Sequence, residues 1–266
     1  MISVGMLREV WSFRDFIWSS VKREFQSRWT GTQFGFFWIV AHPLANILIF
    51  TVIFAQIMRP SLPNHPSKFA YSIYLCSGVL AWNFFSEMLL RCLNIFVENA
   101  NLLKKIHFPK LCLPMIVLAT TTLNFAIVMG IFMGFLLIID AFPGWVVLCV
   151  LPVLVIQIAF TIGVGIFLAT INVFYRDVNQ TVQVLMQFWF WMTPIVYASL
   201  NLPDAVQTIL AWNPMYGFIR AYQGIFLEQT QPQWSTMVYP GVLAIFFVFL
   251  GIFAFRKLHG EIVDAL

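Results

Sequence analysis

The side chains able to do chemistry in this sequence are few and widely spaced. Glu87 and Arg91 stand one helical turn apart inside a long apolar run, where each neutralises the other at lower cost than it could stand alone in hydrocarbon. Such a pair suits either a transport role or a lock between helices, and the spacing leaves both open. His42, His65, His107 and His259 fall on separate segments and form no HExxH, while Cys76, Cys92, Cys112 and Cys149 lie scattered through apolar sequence without CxxC spacing. Neither a metal centre nor a disulfide framework is expected, and the cysteines read as packing residues. There is no GxxxxGK[ST] phosphate loop, no GxSxG elbow and no group of carboxylates spaced for a catalytic metal. The expectation is a protein that is not an enzyme, with no catalytic residues and no cofactor of its own.

The most informative hydrophilic stretch runs from Glu98 to Pro109. A short helix stopped by Pro109 would project Glu98, Asn99, Asn101, Lys104, Lys105 and His107 into water, where another protein could grip them; a plain solvated loop is the competing reading. Tyr175-Arg176-Asp177 forms a second, smaller polar junction, readable as a contact or as a capped helix end.

The elements that carry these residues are set by composition. The chain has 266 residues, 61% of them hydrophobic and only 10% charged, against roughly 25% charged in an ordinary soluble domain. A water-soluble core is excluded. Spans are expected near 34–58, 69–97, 111–139, 145–174, 180–200 and 236–255, all helical, because a helix satisfies its own backbone in hydrocarbon. With the N-terminus in the cytoplasm, that side receives Arg8, Arg14, Lys22, Arg23, Arg28, Lys104, Lys105, Lys110, Arg176, Arg256 and Lys257. The outer side receives only Arg59, Lys68 and Arg220, so both termini are expected inside. The same asymmetry accounts for the net charge of +4 without invoking nucleic acid. No cleaved signal peptide is recognisable at the N-terminus.

Residues 1–33 read as an amphipathic interfacial segment ahead of a single membrane domain, 34–266. Val10, Trp11, Phe13, Ile17, Trp18, Val21, Phe25 and Trp29 share one side of its helix, and Asp15, Ser19, Lys22, Arg23 and Gln26 the other. Lys22, Arg23 and Arg28 then sit at headgroup depth. The stretch 201–233 is too interrupted by Pro203, Asp204, Asn213, Pro214, Gly217 and Pro232 for one span, and two short re-entrant helices in the outer leaflet are expected, with a surface loop as the alternative.

Several pieces resemble a known family, the ABC-2-type permeases that export lipid-linked polysaccharide such as O-antigen, capsule or teichoic acid. "VENANLLKKIHFPK" at 97–110 is similar to the family's coupling segment, "NVFYRDV" at 172–178 to its fourth-to-fifth span junction, "WMTPIVY" at 191–197 to its fifth-span motif and "WNPMYGFIRAYQ" at 212–223 to its re-entrant external region. "KREFQSRWTGTQFGFFWIVAHP" at 22–43 resembles the basic entry to the first span, with Gln33-Phe34-Gly35 in place of the usual Leu-Gly pair.

The resemblance implies a homodimeric channel, with the first and fifth spans near its axis, in the bacterial cytoplasmic (inner) membrane. Two separate ATP-binding subunits would bind ATP and Mg and drive it. Glu98, Asn99, Asn101, Lys104, Lys105 and His107 become the ATPase-coupling residues, with Arg176 and Asp177 as a second contact. Phe37, Trp38, Trp82, Phe84, Phe85, Trp189, Trp191 and Tyr197, with Phe36 and Phe188, are candidates to line a sugar passage, since an aromatic face stacks on sugar C–H groups; lipid-facing and interfacial positions are the plainer reading. Lys22, Arg23 and Arg28 would receive the diphosphate of an undecaprenyl carrier among the membrane lipids, or simply attract anionic lipid. An exporter of small hydrophobic compounds, and an integral-membrane transferase acting on a lipid-linked sugar, are the alternatives.

Overall fold

A computed structural model describes residues 11–27, 35–49, 52, 69–105, 109–197, 203–258 and 260–262, and among them there is no strand. In chain order come α1 (Arg14–Ser27), α2 (Gly35–Ile49), α3 (Ala70–Glu98), α4 (Ala100–Lys105) and α5 (Cys112–Ile138). A 3-10 turn, Gly144–Cys149, leads into α6 (Val150–Phe174), and α7 spans Asp177–Met192. Two short helices follow, α8 (Asp204–Ala211) and α9 (Pro214–Gln223), the second running through a π turn at Gly224–Glu228 before α10 (Trp234–Leu258).

Four of these elements are long and apolar enough to cross a membrane: α3, α5, α6 with its 3-10 turn, and α10. They coincide with the expected second, third, fourth and sixth spans. α3 is the central one, with 72% of its most apolar stretch buried against 22% for α10. The expected first span holds α2, described over 15 residues. In the expected fifth, α7 starts at Asp177 and stops at Met192 instead of running to residue 200. Pro194 explains the early stop: the residue before a proline is pushed out of helical backbone, and Thr193 is extended at φ −100, ψ 132.

Helices pack here by close backbone approach and by aromatic interlock. α6 and α10 form the most extensive contact, and they meet at Gly163 and Gly251, where a Cβ on Gly163 would lie 2.5 Å from the Val248 backbone nitrogen and one on Gly251 2.6 Å from the Gly163 carbonyl oxygen. Small residues at a crossing let two backbones approach, a main source of helix association where lipid is as apolar as the side chains. α3 then locks on its neighbours through Phe84 with Phe125, Phe85 with Phe160, and Phe96 with Phe255, at centroid distances of 4.8, 6.0 and 5.8 Å.

α1 is amphipathic, and only part of its apolar arc packs on the bundle. Ser20 and Val21 are buried and Phe16 and Ile17 half-buried against the bundle, whereas Trp11 and Trp18 are 70% and 65% exposed. Periodicity identifies an apolar arc without telling which part meets protein and which is left for lipid. Arg14 lies 5.8 Å from the Trp11 ring, a cation–π contact outside the packed face.

Candidate functional site

Polar residues concentrate at the end of the bundle where α3 meets α4 and α6 meets α7. α4 is short because Asn99 breaks the helix before it and because it is pinned by its own apolar side: Leu103 is buried and Leu102 half-buried. Glu98, Asn101 and Lys104, three residues apart in turn, remain exposed on the other side as one stripe. Asn99 belongs to the fold as much as to the surface, since its side-chain N–H donates to the Ile95 carbonyl at 2.9 Å and its own carbonyl accepts from Leu103 N–H at 2.9 Å. The Lys105 side chain and His107 lie outside the described residues.

Arg176 and Asp177 are exposed at the start of α7, beside Tyr175. Asn94, one turn before Glu98, ties this junction to the first: its amide donates to Asn179 Oδ1 at 3.3 Å and its oxygen accepts from Asn172 at 3.4 Å. Arg256 and Lys257 close α10 at the same end, because Phe96 of α3 stacks on Phe255. The two junctions and the end of α10 therefore present one face carrying Lys104, Arg176, Arg256 and Lys257. Lys22 and Arg23 are exposed on α1, which reaches α3 through an ion pair between Glu24 and Arg91. Arg28 lies outside the described residues.

Arg91 does not pair with Glu87 alone. Its guanidinium also donates to Glu24 of α1 and, at 2.9 Å, to Thr120 Oγ1 of α5, while Glu87 stands 3.8 Å away and accepts from Asn124 at 2.8 Å. Glu24, Thr120 and Asn124 were not legible as partners, although the spacing of Glu87, Arg91, Asn94 and Glu98 marks a polar stripe along one face of α3.

The opposite end is organised by the break after α7. Tyr74 donates to the carbonyls of Pro194 and Tyr197 at 3.1 and 2.9 Å, Tyr71 to that of Val196, and Gln223 of α9 to Pro194 at 3.3 Å. Asn213 caps α9 by accepting from Met215 N–H at 3.0 Å, accepts Trp189 Nε1–H at 2.8 Å and donates to Thr193 at 2.9 Å. It joins α7, the turn and α9 in one knot. Arg220 and Glu228, 3.3 Å apart, staple the π turn.

The aromatic candidates divide. Trp82, Phe84 and Phe85 are buried in the core, and Trp189 sits half-buried with its ring 5.3 Å from Phe85. Phe37, Phe188 and Trp191 are open, and Tyr197 is half-buried, donating to the Trp191 carbonyl. The side chains of Phe36 and Trp38 lie outside the described residues.

The sequence pattern described as "ABC-2 type transporter" matches residues 15–227. An "O-antigen export system permease protein RfbA" of Myxococcus xanthus is 28% identical over 99% of this chain and 100% of its own length, and one of the same name from Klebsiella pneumoniae is 27% identical over 92% of each. A "Polysialic acid transport protein KpsM" of Escherichia coli is 18% identical over 88% of this chain and 90% of its own. The chain is thus a multi-pass membrane protein, and it belongs to the ABC-2 type transporter family.

Proposed function

We propose that this chain is the membrane subunit of an ATP-driven exporter of polysaccharide, O-antigen first among the candidates and capsule or teichoic acid next, carried on undecaprenyl diphosphate. Similarity along nearly the whole chain to two proteins named as O-antigen export permeases carries the reading. It sits in the bacterial cytoplasmic membrane with both termini inside, because the face bearing Lys104, Arg176, Arg256 and Lys257 is the one the positive-inside rule assigns to the cytoplasm. α8 and α9 then lie in the outer leaflet.

The chain works as a homodimer. α2 and α7 bring broad apolar surface to the outside of the single chain, and a second copy covers the part carrying Leu48, Leu185, Phe188 and Met192 across a two-fold axis. Two ATP-binding subunits hold ATP and Mg and grip the exposed stripe Glu98, Asn101 and Lys104, with Lys105 and His107 beyond it and Arg176 and Asp177 alongside. Asn99 braces that stripe from behind. Lys22, Arg23 and Arg28 receive the diphosphate at headgroup depth. Trp191 and Phe37 face the moving polymer, while Trp82, Phe84, Phe85, Trp189 and Tyr197 shape the wall behind them; Trp38 is assigned to the same passage from its place in the sequence alone.

Deletion of the gene in its native host tests the reading. Surface polysaccharide should vanish while its undecaprenyl-linked form accumulates in the cytoplasmic membrane, and normal surface polysaccharide in the deletion strain would refute it.

A further inference from the structure

We infer that Glu24 and Arg91 form a clamp that fixes the rotation of the interfacial helix α1, and so act as positioning residues for Lys22 and Arg23 beside them. The inference rests on the diphosphate-receiving role proposed for those two cations.

Three observations meet at this point. The Glu24–Arg91 pair joins α1 to a spanning helix 67 residues later in sequence, and both side chains are shielded, at 30% and 24% exposure. Arg91 is itself held by Thr120 and by Glu87, which Asn124 holds in turn, so its guanidinium has partners besides α1 that orient it. α1 is otherwise seated on the bundle by apolar and small residues, with Ser20 and Val21 buried and Phe16 and Ile17 half-buried, while Trp11 and Trp18 are exposed.

Charge makes the clamp selective for one rotation. Successive helical residues are turned by about 100°, so rolling α1 by one or two residues would replace Glu24 before Arg91 with Arg23 or Lys22. Rolling the other way would bring Phe25 or Gln26 there instead, so of these settings only the observed one offers Arg91 a carboxylate, and two of the others oppose it with like charge. The setting that docks Glu24 leaves Lys22 and Arg23 exposed.

The test uses the full chain in native membranes with its ATP-binding partner, carrying Ser20→Cys as a reporter on the buried face and Cys149→Ser to remove the half-buried native thiol; Cys76, Cys92 and Cys112 are buried. Labelling by a charged maleimide should be slow in this parent and roughly tenfold faster after Glu24→Gln, the effect of losing a shielded ion pair. Glu24→Arg should label at least as fast. Combining it with Arg91→Glu again places one cation between two carboxylates and should slow labelling below that of Glu24→Arg alone. Unchanged labelling in both single variants, or a double variant as reactive as Glu24→Arg, would overturn the clamp. Export is measured alongside: Glu24→Gln should lower it as Lys22→Gln/Arg23→Gln does. If the Lys22/Arg23 variant exports normally while Glu24→Gln frees the reporter, the diphosphate role falls and the clamp stands.

Discussion

The crossing of α6 and α10 should be the least forgiving place for a single methyl group. In Gly163→Ala the new Cβ would meet the backbone of α10, 2.5 Å from Val248 N and 2.6 Å from the Phe247 carbonyl carbon. To reach an ordinary contact distance of about 3.5 Å, one helix backbone must retreat by about 1 Å along an interface that is otherwise close-packed. Overpacking of this kind costs about 1–3 kcal/mol, and the obstacle is backbone, which cannot swing aside as a side chain can. Alanine offsets up to about 1 kcal/mol through its better helix propensity. A net loss of about 0–2 kcal/mol follows with the full offset, or about 1–3 kcal/mol against a control that shares the propensity gain. Gly134→Ala on α5 is the matched control, because a Cβ there has nothing within 4 Å and keeps only the propensity gain. Reversible unfolding of the purified protein in mixed micelles, followed by circular dichroism, would compare the two. If Gly163→Ala is as stable as Gly134→Ala, the close crossing does not hold these helices together.

Asn213→Ala should lower stability by about 1–3 kcal/mol in the same assay, since it removes a helix cap, leaves Trp189 Nε1–H without its acceptor and takes one hydrogen bond from Thr193. The isosteric Asn213→Asp should retain the cap. Lys104→Glu/Lys105→Glu should abolish surface polysaccharide while leaving the subunit in the membrane, and undiminished export would refute their assignment as ATPase contacts. Trp191→Glu, placing a charge on a side chain 65% exposed, should block export without loss of dimer on gel filtration, and normal export would remove it from the passage.

Long apolar runs proved easy to read because helix is the only local solution in hydrocarbon: the expected span 69–97 is α3 at Ala70–Glu98, and 111–139 is α5 at Cys112–Ile138. The end of α7 was harder, since apolar composition continues to residue 200 while one backbone feature, Pro194, decides where the helix stops. Which face a helix turns inward is a tertiary matter. Trp18 and Val21 share an apolar arc in sequence, yet one is exposed and the other buried. The aromatic candidates show the same limit: residue type made Phe85 and Trp191 equal, and only packing separates a core ring from an open one. Glu87 and Arg91 were visible as a pair through their local spacing, whereas Glu24 meets Arg91 across 67 residues and leaves no local signal.

In the proposed function this polypeptide shapes a conduit whose work is supplied by a partner. Proteoliposomes holding the chain, its ATP-binding subunit and undecaprenyl-linked polysaccharide test it most directly, with glycan on the far side of the membrane as the readout. Translocation should require both subunits and ATP, and cease when the ATP-binding subunit is omitted. Glycan that crosses against its gradient with this chain alone would contradict the account.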